Sequence, residues 1–260
     1  MTVLDLKQYS RKVKLTLPDN LALTDEQRQL AISEWHGRML NEHISARVFA
    51  ALIPQMMRAE IEPELQARVA DSCRQELRHG QLCAAVVEAL GGSAIAELPE
   101  LDDVPLHRDV SPLEGVVRNI IAVSCLNETV AVALLSCGRE RVGPPALEAI
   151  VTEILRDEVQ HARLGWGLLE AIAPRLTRDE RQRLSDYLVP ALRQLFDRHF
   201  LRPEATYDRA PHGQSTAEVG VDDPREASEL FLDTVHDVIV PGLTAHGLDA
   251  QGALRRALAA

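Results

Sequence analysis

Apolar residues recur at three- and four-residue spacing along four long stretches of the chain, the period of a helix with one buried face. The first stretch opens at a capping box, Thr24-Asp-Glu-Gln27, and carries EWHGRMLNEHISARVFAALI to Pro54, which is expected to stop or kink it. The second starts with Pro63 in its first turn and runs to Leu90, where Gly91-Gly92 terminates it. Another capping box, Ser111-Pro-Leu-Glu114, opens the third, which ends near Gly138. The fourth follows Pro144-Pro145 and stops at Pro174. Two more helices are expected, one from Thr177-Arg-Asp-Glu180 to about Phe200 and one opened by Asp223-Pro-Arg-Glu226, with a polar loop from about 203 to 222 between them.

Connections decide how these helices stack. Those between the first and second, and between the third and fourth, are short, so each pair forms an antiparallel hairpin. Residues 91 to 111 are long enough to run the length of a bundle, which makes the second and third helices parallel. The expected fold is therefore an all-α four-helix bundle with a long crossover. It is read as one domain over residues 1 to 260, with a core bundle at 24 to 174 and accessory helices from 175 to 260.

Composition supports helices: of 260 residues, 46% are hydrophobic but only 3% aromatic, which disfavours a β-sandwich. The net charge of −11 argues against nucleic acid as a partner. No uninterrupted apolar run approaches 18 residues and the first 17 residues lack a continuous apolar core, so neither a membrane span nor a signal peptide is expected, and the cytoplasm is the expected location. Cys73, Cys83, Cys125 and Cys137 stand singly, as packed thiols rather than zinc ligands.

Two segments bear chemistry. The second helix contains Glu76-Leu-Arg-His79 and the fourth Glu158-Val-Gln-His161, each an ExxH that puts a carboxylate and an imidazole on one helix face. One such pair is weak evidence, but each is preceded in the chain by a helix with an acid among apolar or small residues, Glu42 and Glu128. The heights agree. Glu42 and Glu76 lie at similar distances from their shared turn, roughly 18 to 20 Å at 1.5 Å per residue, and Glu128 and Glu158 match within about one turn. Four carboxylates in a bundle interior repel one another and lose hydration, and two divalent ions cancel that charge. Oxygen donors with only two imidazoles favour Fe or Mn over zinc or calcium.

The order E, ExxH, E, ExxH resembles the ferritin-like di-iron carboxylate superfamily over about residues 25 to 173, with all six ligand positions matched by Glu42, Glu76, His79, Glu128, Glu158 and His161. Arg156-Asp-Glu-Val-Gln-His-Ala-Arg163 is similar to the DExxHA stretch of bacterial members, and Gln75-Glu-Leu-Arg-His-Gly80 to the first motif of soluble fatty acyl desaturases. The resemblance implies two Fe ions, with Fe/Mn or Mn as alternatives, O2 as co-substrate, a small organic substrate in an apolar pocket and an external electron donor. No subfamily follows from it. Tyr9, Tyr187 and Tyr207 fall outside the four core helices, unlike in a tyrosyl-radical generator, and Ala131 and Val132 stand where desaturases and multicomponent monooxygenases respectively carry a threonine. The arylamine N-oxygenase histidine is replaced by Ile154, and a rubredoxin-like CxxC pair is missing.

Other residues complete the expectations. Asp157 is placed to hydrogen-bond a ligand imidazole across the bundle, while Gln75 at the corresponding place makes any such arrangement asymmetric. Cys83, Trp35 and Trp166 are read as packing residues, Arg78 and Arg163 as surface charges, and the remaining histidines, His212 among them, show no metal spacing. An O2-dependent oxidase or oxygenase, a monomer or homodimer, is the leading functional reading. An iron-storing ferritin relative and a metal-free interaction bundle are the alternatives; the long C-terminal part fits poorly with a storage shell.

Overall fold

The Thr24 cap closes in both directions: Gln27 N donates to Thr24 Oγ1 at 3.2 Å and Thr24 N to Gln27 Oε1 at 2.9 Å. From it grows the first long helix of the protein, described here by a computed structural model covering residues 2–19, 21–200 and 214–259. A short strand β1 (Thr2–Asp5) and a helical turn α1 (Lys7–Ser10) come first, followed by the long α2 (Asp25–Arg58) and α3 (Pro63–Ala89). After strand β2 (Ile95–Leu98) comes α4 (Pro112–Arg139), then α5 (Pro145–Ile172) and its 3-10 extension Ala173–Arg175. The C-terminal part contains α6 (Arg178–Phe200), α7 (Gln214–Ala217), α8 (Pro224–Thr234), α9 (Val240–Ala245) and α10 (Ala250–Leu258). The architecture is all-α and ferritin-like, with added C-terminal helices. Tyr207, His212 and most of the expected 203 to 222 loop lie outside the described residues.

The crossover can be followed by its contacts with α2. His36 Nε2 meets the Ile95 carbonyl, Arg47 donates to the carbonyls of Leu101 and Asp102, and Asn119 donates to Gln55 Oε1 at 2.9 Å. The connection thus travels from the middle of α2 to its C-terminal end, where α4 begins. Because α3 also begins there, α3 and α4 run parallel.

Four details depart from the sequence expectations. First, α2 continues through Pro54 to Arg58. Phe49, Leu52 and Met56, all but fully buried, anchor the helix on both sides of the proline, and this packing outweighs the one backbone hydrogen bond that proline cannot make. The turn falls instead at Glu60, whose φ of 53° is left-handed, with Ile61 N donating to Met56 O at 3.1 Å. Second, β1 and β2 pair antiparallel, Thr2 opposite Leu98 and Asp5 opposite Ile95; four-residue strands are too short to leave an alternation that a helix-rich sequence makes legible. Third, α8 passes through a π-helical stretch, Val235–Ile239, into α9, and α10 follows as a separate helix capped by Asp249. Fourth, α4 is long and apolar enough by composition to cross a membrane, with mean hydropathy 1.9. Arg118, Asn119, Ser124, Asn127 and Glu128 interrupt it, so it holds no long uninterrupted apolar run. Less than half of its most apolar window is buried, and Val116, Val117, Ile120, Ile121, Leu126 and Val130 lie in the core.

The apolar interior falls into two clusters. One contains Trp35 and Met39 of α2, Leu82, Val86 and Val87 of α3, and Leu147, Val151 and Ile154 of α5. The other holds Phe49, Leu52 and Met56 of α2, Val69 of α3, Leu164, Leu168 and Leu169 of α5, and the C-terminal helices. On α2, α3 and α5 the gap between them falls at residues 40–48, 70–81 and 155–163. Those gaps hold Glu42, Glu76, His79, Glu158 and His161, whereas Glu128 stands on α4 between Leu126 and Val130 of the second cluster.

Candidate metal centre

On α3 and α5 the three-residue step of each ExxH turns Glu and His to the same inward face. All six predicted residues converge at mid-height. Their donor atoms form two overlapping groups, Glu42, Glu76, His79 and Glu158 in one and Glu76, Glu128, Glu158 and His161 in the other, with the atoms of each group within 4.8 Å of one another. Glu76 and Glu158, one from each motif, belong to both groups. Glu42 and Glu128 sit at opposite ends, Glu42 with a partly exposed side chain and Glu128 buried.

Both imidazoles present Nδ1 to the carboxylates. His161 Nδ1 lies 3.0 Å from Glu158 Oε2 and 3.0 Å from Glu76 Oε1, and His79 Nδ1 lies 3.1 Å from Glu158 Oε1 and 3.5 Å from Glu42 Oε2. Yet His79 Nδ1 and Glu76 Oε1 are buried without a hydrogen bond of acceptable angle. Atoms that crowd one point without pairing have the geometry of ligands aimed at a common centre.

The outer nitrogens are held from the opposite helix. His79 Nε2 is 3.3 Å from Asp157 Oδ2, and His161 Nε2 is 3.0 Å from Gln75 Oε1. Each partner is the residue just before the motif glutamate of the facing helix, so the braces are crossed. Asp157 was anticipated for such a contact; the matching use of Gln75 was visible in the sequence only as a break in symmetry.

Two backbone features position Glu128. It ends a π-helical stretch, Ile121–Glu128, that no residue pattern announced, and Asn127 Nδ2 donates to the Ala122 carbonyl inside it. Opposite lies Gly165, one turn beyond His161, where a Cβ would sit 2.2 Å from Ser124 Cβ and 3.1 Å from Ser124 C. Glycine is required there by close helix approach. Thr129, beside Glu128, accepts a hydrogen bond from Trp166 Nε1 at 3.0 Å, and Trp166 stands against Gly242 of α9. Trp35 is likewise tied down, donating to the Val219 carbonyl at 2.8 Å.

Electrostatics make the protein-only cluster unfavourable. Burial, reinforced by repulsion from neighbouring glutamates, holds Glu76 and Glu128 well above the ordinary carboxyl range. Burial acts the same way on Glu158 but is outweighed by the two imidazoles, which hold it below that range. Burial alone would lower His79, whereas the carboxylates of Glu158 and Glu42 bring it up to about 10. Four acids against two imidazoles leave an excess of negative charge even with both rings protonated. Two divalent cations of the hard or intermediate kind fit this donor set in charge, number and atom type.

A surface cleft of about 470 Å³ reaches the centre's outer edge. It is lined by Arg74, Gln75, Arg78, Glu153, Arg156 and Asp157, so it lies on the histidine side and is polar. Arg78 pairs with Glu153 at 3.1 Å and Arg156 with Asp157 at 2.9 Å.

No protein-family model matches the chain, and no curated protein matches it. Among solved structures, it is similar in fold to Protein 19 with aldehyde deformylating oxidase activity from Synechococcus, at a TM-score of 0.60 and 18% identity, over 91% of this chain and 98% of that one. A likeness of that extent reaches beyond residues 25 to 173, so it takes in part of the accessory region as well as the four core helices.

Proposed function

We propose that this protein is a di-metal oxidoreductase that uses O2 to oxidise a small organic substrate. The observation that carries the reading is the convergence of four largely buried carboxylates and two imidazoles in two overlapping donor groups, with Glu76 Oε1 and His79 Nδ1 buried without a hydrogen bond. Two Fe ions, or an Fe/Mn or Mn pair, are the proposed occupants; when bound they supply the electrons and the Lewis acidity for O2 chemistry. Glu76 and Glu158, common to both donor groups, would be shared by the two ions, Glu42 with His79 would help to hold one, and Glu128 with His161 the other. Asp157 and Gln75 accept the protons of the outer imidazole nitrogens and keep both Nδ1 lone pairs turned inward. The apolar clusters on either side exclude water from the pair. An external electron donor and a cytoplasmic location belong to the same proposal. The fold shared with a protein named for an oxidase activity supports this reading over iron storage, because the C-terminal helices are part of the shared fold.

The test is metal content and size together. The iron-reconstituted chain is expected to hold two ions per subunit as a monomer or small oligomer, and to keep them through repeated additions of Fe(II) in air. A many-subunit particle that goes on accumulating iron overturns the oxidoreductase reading in favour of storage.

A further inference from the structure

The two braces are alike in geometry and unlike in chemistry. Asp157 Oδ2 lies 3.3 Å from His79 Nε2, and Gln75 Oε1 lies 3.0 Å from His161 Nε2. A ring whose Nδ1 donates its lone pair inward carries its proton on Nε2, and both partners accept that proton. One acceptor is a carboxylate, the other a neutral amide. A charged acceptor makes the stronger hydrogen bond and leaves the imidazole the better electron donor, so the two rings differ as ligands although their first contacts match.

The surroundings keep that difference. Asp157 is buried and receives Arg156 on its other oxygen, with Nε at 3.0 Å and Nη2 at 2.9 Å, which fixes the side chain in place. Gln75 is half-buried at the cleft, with no ionic partner in contact. The shared ligands Glu76 and Glu158 serve both positions, and each position adds one glutamate and one histidine. Ligand count and formal charge therefore balance between the two groups, and the braces add a difference in charge directly behind the two imidazoles.

We infer that Gln75 and Asp157 are positioning residues that make the two metal positions unequal, the His79 position binding a divalent ion first and more tightly than the His161 position. This rests on the di-metal reading above and deepens it. Inequality of this kind gives the centre an order of loading and a basis for holding two different metals.

Cobalt(II) is the probe, because its visible absorption reports the ligand set of each equivalent bound. The metal-free chain, titrated anaerobically, is expected to take up two equivalents in two steps about tenfold apart in affinity. Asp157→Asn, which keeps the shape and removes the charge, is expected to weaken the first step about tenfold and merge the two. Gln75→Glu is expected to strengthen the second step by a similar factor and to shift its absorption bands toward those of the first. Gln75 borders the solvent-filled cleft, so the new carboxylate remains hydrated, and Asp157→Asn provides the reciprocal test. Equal steps in the unaltered chain, or an unchanged separation in Gln75→Glu, overturn the inference and leave the di-metal reading standing. Failure of the unaltered chain to bind two equivalents overturns both.

Discussion

Two groups of charge lie inside this bundle, and they are built on opposite principles. Glu114, at the start of α4, is fully buried, but Arg183 Nη2 meets it at 2.7 Å and Arg118 Nη2 at 2.9 Å, and Arg118 continues to Asp109 at 3.2 Å. Both carboxylate oxygens of Glu114 have guanidinium partners and the group balances its own charge, although Arg118 Nε is buried without a hydrogen bond. The central cluster gathers four carboxylates around two imidazoles and leaves His79 Nδ1 and Glu76 Oε1 without a hydrogen bond. A buried charge that the protein completes is a structural joint. A buried charge that it leaves incomplete, with donors aimed at one point, is a place for something from outside.

Substitutions can break this contrast from either side. The largest effect is expected at the centre: Glu158 is common to both donor groups, so Glu158→Ala should reduce metal content from two ions per chain toward none, measured by elemental analysis. Unchanged stoichiometry would remove Glu158 from the site. At the joint, Arg118→Ala leaves Glu114 with Arg183 as its remaining partner and should cost about 1 to 3 kcal/mol of stability while metal content stays the same. Chemical denaturation with a parallel metal assay checks both halves of that statement, and a loss of metal would show that the two groups are not independent.

Gly165→Ala acts between them. Its Cβ would press on Ser124 in the π-helical stretch, so a cost of about 1 to 3 kcal/mol is expected, together with weakened binding at the Glu128 position. Thermal melting and metal titration read the two effects; a variant as stable as the parent would mean that the helices separate freely there.

A smaller effect appears with pH in the metal-free chain. Glu76 and Glu128 are raised by burial and mutual repulsion, and His79 stands at about 10. Each keeps a proton in the folded state that the unfolded chain has released. Stability contributed this way is present at low pH and is lost as pH rises, with a slope of up to about 1.4 kcal/mol per pH unit for each proton. Between pH 6 and 9 the metal-free chain should therefore melt lower as pH rises, while the metal-loaded chain changes less. Glu158, shifted the other way, contributes stability that is fully present across this window and is lost only as pH falls below its ordinary range. Identical melting of the two forms across the window would contradict a buried, charge-deficient cluster.

Much of this was legible in the residue order. The caps at Thr24 and Ser111, the prolines at the first turns of α3, α4 and α5, and the long segment before α4 state the helices and the crossover. Local rules suffice because caps and first turns act within a few residues. The two ExxH motifs and the heights of Glu42 and Glu128 carry the centre's composition for the same reason: a regular helix converts residue number into angle and height.

What the order of residues left open depended on neighbours distant in the chain. Pro54 lies inside α2 because the core holds the helix on both sides of it. The π-helical stretch that delivers Glu128 exists where α4 packs against Gly165 of α5, a closeness no local propensity encodes. Gln75 gained its partner only when α3 and α5 were set face to face, crossing the two braces. Which side chains each helix turns inward was already written in the residue order, since it follows from periodicity. Tertiary structure decided which of them meet, and at what distance, because contact between helices depends on how whole surfaces of side chains interlock.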